Sequence, residues 1–307
     1  MNKSIRTLLI VFVVLIAVYF LFFRSGERVS TDKIDAKLFV ADSSKIDKIE
    51  IVKSNETVVF EKTGDNWNLK LPVNYPADTV SVYPMLKDLK NFKIESVASE
   101  NPEKFVNYLD TVNNAQVTVY QEGKLLGIFI LGKSQGYSNS YIKKPDENII
   151  LLASDIVAAN FTKPSKDFRL KKAVSIPSIG LNKVEFKSTD SNQVNFAAVR
   201  DSLNVWRIDG DSVTSASMSG FLNLFENLNA EDFIDSTVTE FPVPTYTLTF
   251  TSAAQQTLIN LYKIPNSEPE AFMFQVVGNP QLFKFFTGMA SQIMKKKSDF
   301  IPEPPKK

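Results

Sequence analysis

Hydrophobic and polar residues alternate along much of the chain, as they do in β-strands with one buried face. The first alternating segments are Ile46–Val52, Thr57–Glu61 and Trp67–Leu71, and short polar loops separate them. Four further segments of this kind follow, at Gln116–Tyr120, Leu125–Leu131, Tyr141–Lys143 and Ile149–Leu152. Because short loops join antiparallel neighbours, these segments predict antiparallel meander sheets.

Between the two groups of strands, the apolar residues take the spacing of an amphipathic helix. Asp78 is a suitable N-cap for this helix, and Pro84 inside it predicts a kink or a delayed start. The predicted buried face carries Val82, Met85, Leu86 and Leu89.

Several shorter elements complete this part of the chain. Short strands are predicted at Leu38–Val40 and Lys93–Val97. Pro102 favours the first position of a short helix. Ser154 is predicted to cap a last helix at Asp155–Phe161.

The same series of elements then starts again. Strands are predicted at Leu181–Phe186, Val194–Ala198 and Val205–Ile208, and a second amphipathic helix follows them. The residues of the two helix faces match at a constant interval, with Val82, Met85, Leu86, Leu89 and Phe92 corresponding to Met218, Phe221, Leu222, Phe225 and Leu228. The only two tryptophans, Trp67 and Trp206, stand at equivalent places and are assigned structural roles.

We therefore predict an α+β fold in which two tandem, internally duplicated α+β units have antiparallel meander sheets. The units are expected at residues 46–172 and 178–301. A transmembrane anchor at 1–24 and a juxtamembrane linker at 25–45 would precede them, and a Pro/Lys tail at 302–307 would follow.

The anchor is predicted from Thr7–Phe23, which contains no charged residue, Gly or Pro. As a helix it would cover about 25 Å, and the flanking Lys3, Arg6 and Arg24 can reach the headgroups. It ends in bulky aromatic residues rather than a small-residue cleavage site, which favours a retained single-pass anchor over a cleaved signal peptide. The basic N-terminal flank predicts a cytoplasmic N-terminus and C-terminal domains in the periplasm or another extracytoplasmic space.

Composition excludes several classes of function. The chain has no Cys and no His, so it cannot build disulfides, thiolate metal sites or a Ser-His-Asp arrangement. A net charge of +1 gives no electrostatic basis for a nucleic-acid partner. No cofactor and no metal are expected.

One segment, Gly127–Ser134, matches the spacing of a phosphate-binding P-loop. Its four central residues are Ile-Phe-Ile-Leu, which are typical of a buried strand, and a polar loop follows where a helix would be needed. The match is therefore interpreted as a strand, and no nucleotide is expected.

Three other polar patterns have simpler explanations. Asp209–Asp211 resembles part of a calcium loop but lacks its later ligands, so a turn before a helix is favoured. Ser30–Lys33 fits the S-x-x-K pattern of serine–lysine hydrolases but lies in the linker. Glu95 and Glu231 occupy equivalent positions, which would suit either a paired acid site or exposed strand-edge charges, and the latter is favoured.

Three tyrosines are the candidate binding residues. Tyr75 lies between two prolines in the loop Pro72–Asp78, which suits contact with a protein or a glycan, although a fixed crossover onto the helix is slightly favoured. Tyr137 and Tyr141 lie among small polar residues suited to adaptable contacts, and the alternative is a mobile hairpin loop.

The order of four sequence blocks resembles a bacterial family known only as a domain of unknown function, DUF4340. The blocks are Lys48–Ile51, Trp67–Leu69, Pro72–Asp78 and Ser99–Pro102, and the second copy lacks the Pro-rich block. The resemblance implies a membrane-tethered extracytoplasmic protein that accompanies ABC-transporter components of the gliding-motility type. It implies no catalytic residue.

We expect a non-catalytic accessory or binding subunit of a membrane complex, with ABC-transporter components as its partners. One alternative is a periplasmic protein that binds a ligand or cell-wall glycan, which predicts a cleft lined with aromatic and polar groups. A carboxylate-based hydrolase is the other alternative, and it needs two acidic groups about 5–10 Å apart.

Overall fold

The computed structural model describes residues 12–13, 15–16, 38–110, 114–191 and 193–301. The chain divides into two compact units, Met1–Phe168 and Arg169–Lys307, and each unit has its own nine-stranded sheet. The strand pairs are antiparallel and helices are few, so the predicted antiparallel, sheet-rich α+β class is confirmed.

The predicted anchor at Thr7–Phe23 lies outside the described residues, apart from four helical, exposed residues: Phe12, Val13, Leu15 and Ile16. In the described part of the chain, no helix is long and apolar enough to cross a membrane. The Ser30–Lys33 pattern and the predicted tail at 302–307 also lie outside the described residues.

The first sheet contains strands β1 to β9. Their bounds are Ile46–Val52, Thr57–Thr63, Asn66–Leu71, Tyr75–Pro76, Lys93–Ser99, Ala115–Gln121, Lys124–Gln135, Asn139–Lys143 and Ile150–Ser154. The order across the sheet is β4-β3-β2-β1-β6-β7-β8-β9-β5. Two meanders therefore meet where β1 pairs with β6, and β5 forms the far edge.

Helix α1 spans Thr79–Asn91 and begins where the sequence predicts. The Asp78 carboxylate accepts a hydrogen bond from the Val80 backbone N–H at 3.1 Å. Pro84 lies inside the helix without delaying its start. A 3₁₀ helix at Pro102–Asn107 follows β5 in place of the short second helix.

Two local predictions are wrong. Leu38–Val40 forms no strand; instead, the Phe39 ring packs against Phe92 with centroids 5.4 Å apart. Ser154 does not cap the last helix of this unit, because it ends β9 and helix α2 begins later, at Ala158–Thr162. The Asp88 carboxylate of α1 supplies the acceptor instead, since it receives the Val157 N–H at 3.0 Å.

The second sheet contains β11 to β14 and β16 to β20, and the short β10 (Lys172–Val174) pairs with β15 (Leu228–Asn229). The bounds of the sheet strands are Leu181–Ser188, Phe196–Arg200, Trp206–Ile208, Asp211–Ser212, Asp232–Ile234, Tyr246–Ser252, Gln256–Lys263, Ala271–Val276 and Leu282–Phe286. Helices α3 and α4 span Ser215–Glu226 and Thr287–Ile293.

The two sheets have the same strand order. The second runs β14-β13-β12-β11-β17-β18-β19-β20-β16, which repeats the first strand by strand. Even an irregularity recurs, since a register shift lies between Ile46 and Lys48 in β1 and between Leu181 and Lys183 in β11. The five matched apolar positions along α1 and α3, and just after them, are buried in both units.

Each unit has its own aromatic core. In the first unit, Phe60 packs edge-on against Phe168 with centroids 5.0 Å apart. In the second, Phe186 stacks on Phe196 at 4.3 Å, and Phe300 lies 5.4 Å from Phe186. The last aromatic residue of each unit therefore closes the apolar face of its own sheet.

Candidate functional site

The two tryptophans occupy equivalent positions in β3 and β13. The Trp67 carbonyl accepts the Ala77 N–H at 2.9 Å, and the Trp206 carbonyl accepts the Val213 N–H at 2.9 Å. Trp67 is buried and Trp206 is half-buried. Each tryptophan lines a surface groove together with residues of the helix that follows it.

The first groove has a volume of about 590 Å³. It runs between α1, the β2–β3 hairpin and the segment before β1. Its lining residues are Ser43, Ser44, Lys62, Asp65, Trp67, Tyr83, Leu86, Lys87, Lys90 and Asn91. Because Tyr83, Lys87 and Lys90 follow a helical spacing, they project along one exposed edge of α1.

The second groove has a volume of about 330 Å³ and is built from equivalent elements. It is lined by Ser178, Ile179, Arg200, Asn204, Val205, Trp206, Val213, Ser215, Ser219, Leu222 and Asn223. Lys62 pairs with Trp67 across the first hairpin, and Arg200 pairs with Trp206 across the second. The repeated topology therefore gives each unit a concave site built from equivalent elements.

The two grooves differ in the charge of the residues that line them. Three lysines and one aspartate line the first groove, whereas Arg200 is the one charged residue among those lining the second. At the helix position that corresponds to Lys90, the second unit has Glu226, whose carboxylate accepts from the Ser178 hydroxyl at 2.6 Å. The first groove is thus the more cationic of the two.

The positive field extends to the carboxylate just outside the first groove. Hydrogen bonds from the side chain and backbone of Ser44 lower the pKa of Asp42, and the charges of Lys45 and Lys90 lower it further. The Lys62 ammonium donates to the Ser44 carbonyl at 3.3 Å, which ties the segment before β1 to the hairpin.

The three candidate tyrosines do not form one cluster. Tyr75 is half-buried in β4, and five strands lie between β4 and β8 in the sheet order. Tyr137 is fully exposed at the β7–β8 turn. Tyr141 is half-buried in β8 and packs edge-on against Tyr108 at 4.8 Å. Tyr137 is therefore the one of the three whose whole side chain is open to solvent.

The Gly127–Ser134 segment lies entirely within β7. A Cβ on Gly127 would run into the Phe39 ring, and one on Gly132 would approach the Tyr108 carbonyl oxygen to 2.6 Å. The Lys133 ammonium donates to the Val106 carbonyl at 2.9 Å, near the end of the 3₁₀ helix. These residues serve close packing and helix capping in the fold.

The paired glutamates have related contacts at the ends of equivalent strands. Glu95 accepts from the Ser154 hydroxyl at 2.5 Å, and Glu231 accepts from the Phe286 N–H at 2.7 Å. Asp209 and Gly210 have positive φ and form the β13–β14 turn. Among the described residues, no group of acidic side chains is arranged to hold a metal ion.

The groove lysines have no sequence motif that distinguishes them from other surface lysines. Lys87 and Lys90 have helical spacing with Tyr83, but charged residues on the outer face of a helix usually only contact solvent. Two further features complete the groove: the Ser43–Ser44 segment lines it, and so do Trp67 and Leu86. Both depend on long-range packing.

A model of the family described as a domain of unknown function, DUF4340, matches residues 67–249. The matched region includes both tryptophans and both long helices, and it covers more than half of the chain. The chain belongs to this family. No curated protein and no solved structure shows significant similarity to it. In this DUF4340 protein, the grooves therefore have to be interpreted from their own chemistry.

Proposed function

We propose that this DUF4340 protein is a non-catalytic, extracytoplasmic accessory subunit that binds a partner within a membrane complex. The duplicated groove is the observation that carries the proposal. Each copy combines an indole, a helix face and hydrogen-bonding side chains in an open concave surface, which suits recognition of another molecule.

The groove chemistry favours binding over hydrolysis. Among the described residues that line the two grooves, Asp65 is the only carboxylate. Glycosidases of the common type need a pair of carboxylates facing one bond. The two grooves do not supply that pair.

The membrane location rests on the apolar segment Thr7–Phe23 and its basic N-terminal flank. ABC-transporter components are the proposed partners, and this choice rests on the family resemblance alone. A periplasmic glycan-binding protein is the second candidate, since aromatic and polar groups line both grooves.

Topology is the first test. A reporter that fluoresces only in the cytoplasm, fused to the C-terminus, should be silent, because the basic flank predicts that the C-terminal units lie outside. The same fusion with Thr7–Phe23 deleted should fluoresce and shows that the reporter folds. A bright full-length fusion would refute the extracytoplasmic location.

Partner binding is the second test. The tagged full-length chain is purified from solubilised membranes, and co-purifying proteins are identified by mass spectrometry. Tyr137→Ala is a suitable surface variant because truncation of a fully exposed side chain leaves the fold intact. We expect transporter subunits to co-purify with the wild type and less with Tyr75→Ala/Tyr137→Ala, while Glu95→Gln/Glu231→Gln stays near wild type. Absence of any membrane partner would refute the accessory function, and selective retention on cell-wall glycan would favour the second candidate.

A further inference from the structure

The first groove has three lysines and one carboxylate among its lining residues, and the charge of Lys90 also acts on the Asp42 carboxylate beside the groove. Lys87 and Lys90 are exposed and form no ion pair within the described part of the chain. They stand three residues apart on α1, where like charges repel each other. Lys62 of β2 also lines the groove, so three lysines line a concavity whose single carboxylate is Asp65.

The second groove provides an internal comparison. At the positions of Lys87 and Lys90, α3 has Asn223 and Glu226, and the Glu226 carboxylate is already bound to Ser178. The same helix therefore packs on the same type of sheet without these lysines. Since the architecture does not need them, their charge is available for a ligand.

From this we propose that the first groove binds an extended acidic peptide segment of the partner, an inference that rests on the proposed function above. Side chains on one face of an extended peptide recur about every 7 Å, and residues three apart on a helix have Cβ atoms about 5–6 Å apart. Two successive acidic side chains on the same face of an extended peptide can therefore reach Lys87 and Lys90, one side chain to each lysine.

Two other properties of the groove fit a peptide. It is an open trough, and Tyr83 on its rim is 58% exposed, so it offers an aromatic surface to a neighbouring side chain. Lysine ammonium groups donate in several directions and do not require the fixed planar geometry that arginine forks impose. They suit carboxylates on flexible side chains.

The direct test uses a fluorescein-labelled decapeptide of alternating Glu and Tyr as the probe. Its binding to the full-length protein in neutral detergent is followed by anisotropy. Lys87→Gln/Lys90→Gln should weaken binding by about tenfold or more, and added salt should weaken wild-type binding. The control, Lys104→Gln/Lys124→Gln, removes the same charge from exposed lysines outside the groove and should change affinity less than about twofold.

A second readout locates the peptide. In a Trp206→Phe background, Trp67 is the only indole, and the probe should change its fluorescence. In a Trp67→Phe background, the probe should leave the Trp206 signal unchanged. A matching Gln/Tyr decapeptide should fail to bind, because the attraction is electrostatic.

Several results would overturn the inference. These are equal losses in the groove and control variants, no binding of the Glu/Tyr peptide, or tighter binding to polyglucuronate or anionic vesicles than to the peptide. The membrane pull-down separates the two proposals. If the same partners co-purify with wild type and Lys87→Gln/Lys90→Gln, the groove inference fails and the accessory function stands; if wild type brings down no partner, the accessory function fails.

Discussion

Gly132 offers a sharp test of the structural interpretation of the P-loop-like segment. Gly132→Ala would place a Cβ 2.6 Å from the Tyr108 carbonyl oxygen and 2.9 Å from Leu109 Cδ2. The Tyr108 carbonyl is not free to move, because it accepts the Lys133 N–H at 2.8 Å. The substitution must therefore displace backbone in β7 or in the segment after the 3₁₀ helix.

The size of the effect follows from these distances. Ordinary contacts of a Cβ begin near 3.4 Å, so the carbonyl and the new methyl must separate by roughly 0.8 Å. Overpacking of this kind typically costs about 1–3 kcal/mol. Because the closest atom belongs to the backbone rather than to a flexible side chain, we expect a loss of about 2–3 kcal/mol in the free energy of unfolding of the first unit.

Urea unfolding of the full-length chain in a Trp206→Phe background measures this loss, since Trp67 then reports on the first unit alone. Gly220→Ala is the matched control. Gly220 lies exposed in the middle of α3, nothing lies within 4 Å of the place that a Cβ would take, and alanine favours the helix by about 0.5–1 kcal/mol. In a Trp67→Phe background it should stabilise the second unit.

Unchanged stability of Gly132→Ala, within about 0.5 kcal/mol of its parent, would refute the close-packing role. Destabilisation by both alanine substitutions would show that the local environment of each glycine does not decide the sign of the change in the free energy of unfolding. In either case the glycines of this segment would need another explanation.

Two further predictions concern buried polar groups. The Tyr246 hydroxyl donates to the Lys295 carbonyl, and burial raises the pKa of Tyr246 above its unfolded-state value. The folded state is therefore stabilised while Tyr246 is protonated, and this contribution is lost as the pH rises past about 10, where the unfolded chain ionises. Tyr246→Phe should lower the free energy of unfolding by about 1–3 kcal/mol at pH 8 and should lessen the decline between pH 9 and 11 in urea titrations; an unchanged decline would contradict this. Asp88→Ala removes the acceptor for the Val157 N–H and for Asn160 Nδ2, so it should destabilise the first unit by about 1–2 kcal/mol, with Asp88→Asn losing less; equal losses would argue against a capping role.

Much of the fold could be predicted because the relevant signals are local. The seven alternating segments predicted between Ile46 and Leu152 are strands in the structure, and α1 begins after its predicted cap, Asp78. The recurrence of the helix face then predicted the repeated strand order. These patterns report which side of an element is buried, whereas the non-sequential pairs β1–β6 and β5–β9 depend on the tertiary fold.

The errors arose where distant residues take over a local role. Ser154 has the chemistry of a cap, yet Asp88 from α1 caps α2 through the tertiary fold. The first groove was missed for the same reason, because the segment that forms its far wall is a polar stretch without a pattern of its own.

The short strands at one edge of each sheet affect how a duplicated chain avoids misassembly. β4 and β14 are each two residues long, and β4 contains Pro76, which has no N–H to donate. Two copies of one topology in a single polypeptide could exchange strands during folding, and a long bare edge would provide a template for that exchange. At this edge of each sheet, two residues offer almost no ladder for a strand of the other unit to join, so strand exchange is disfavoured there; the opposite edge of the first sheet is the seven-residue β5.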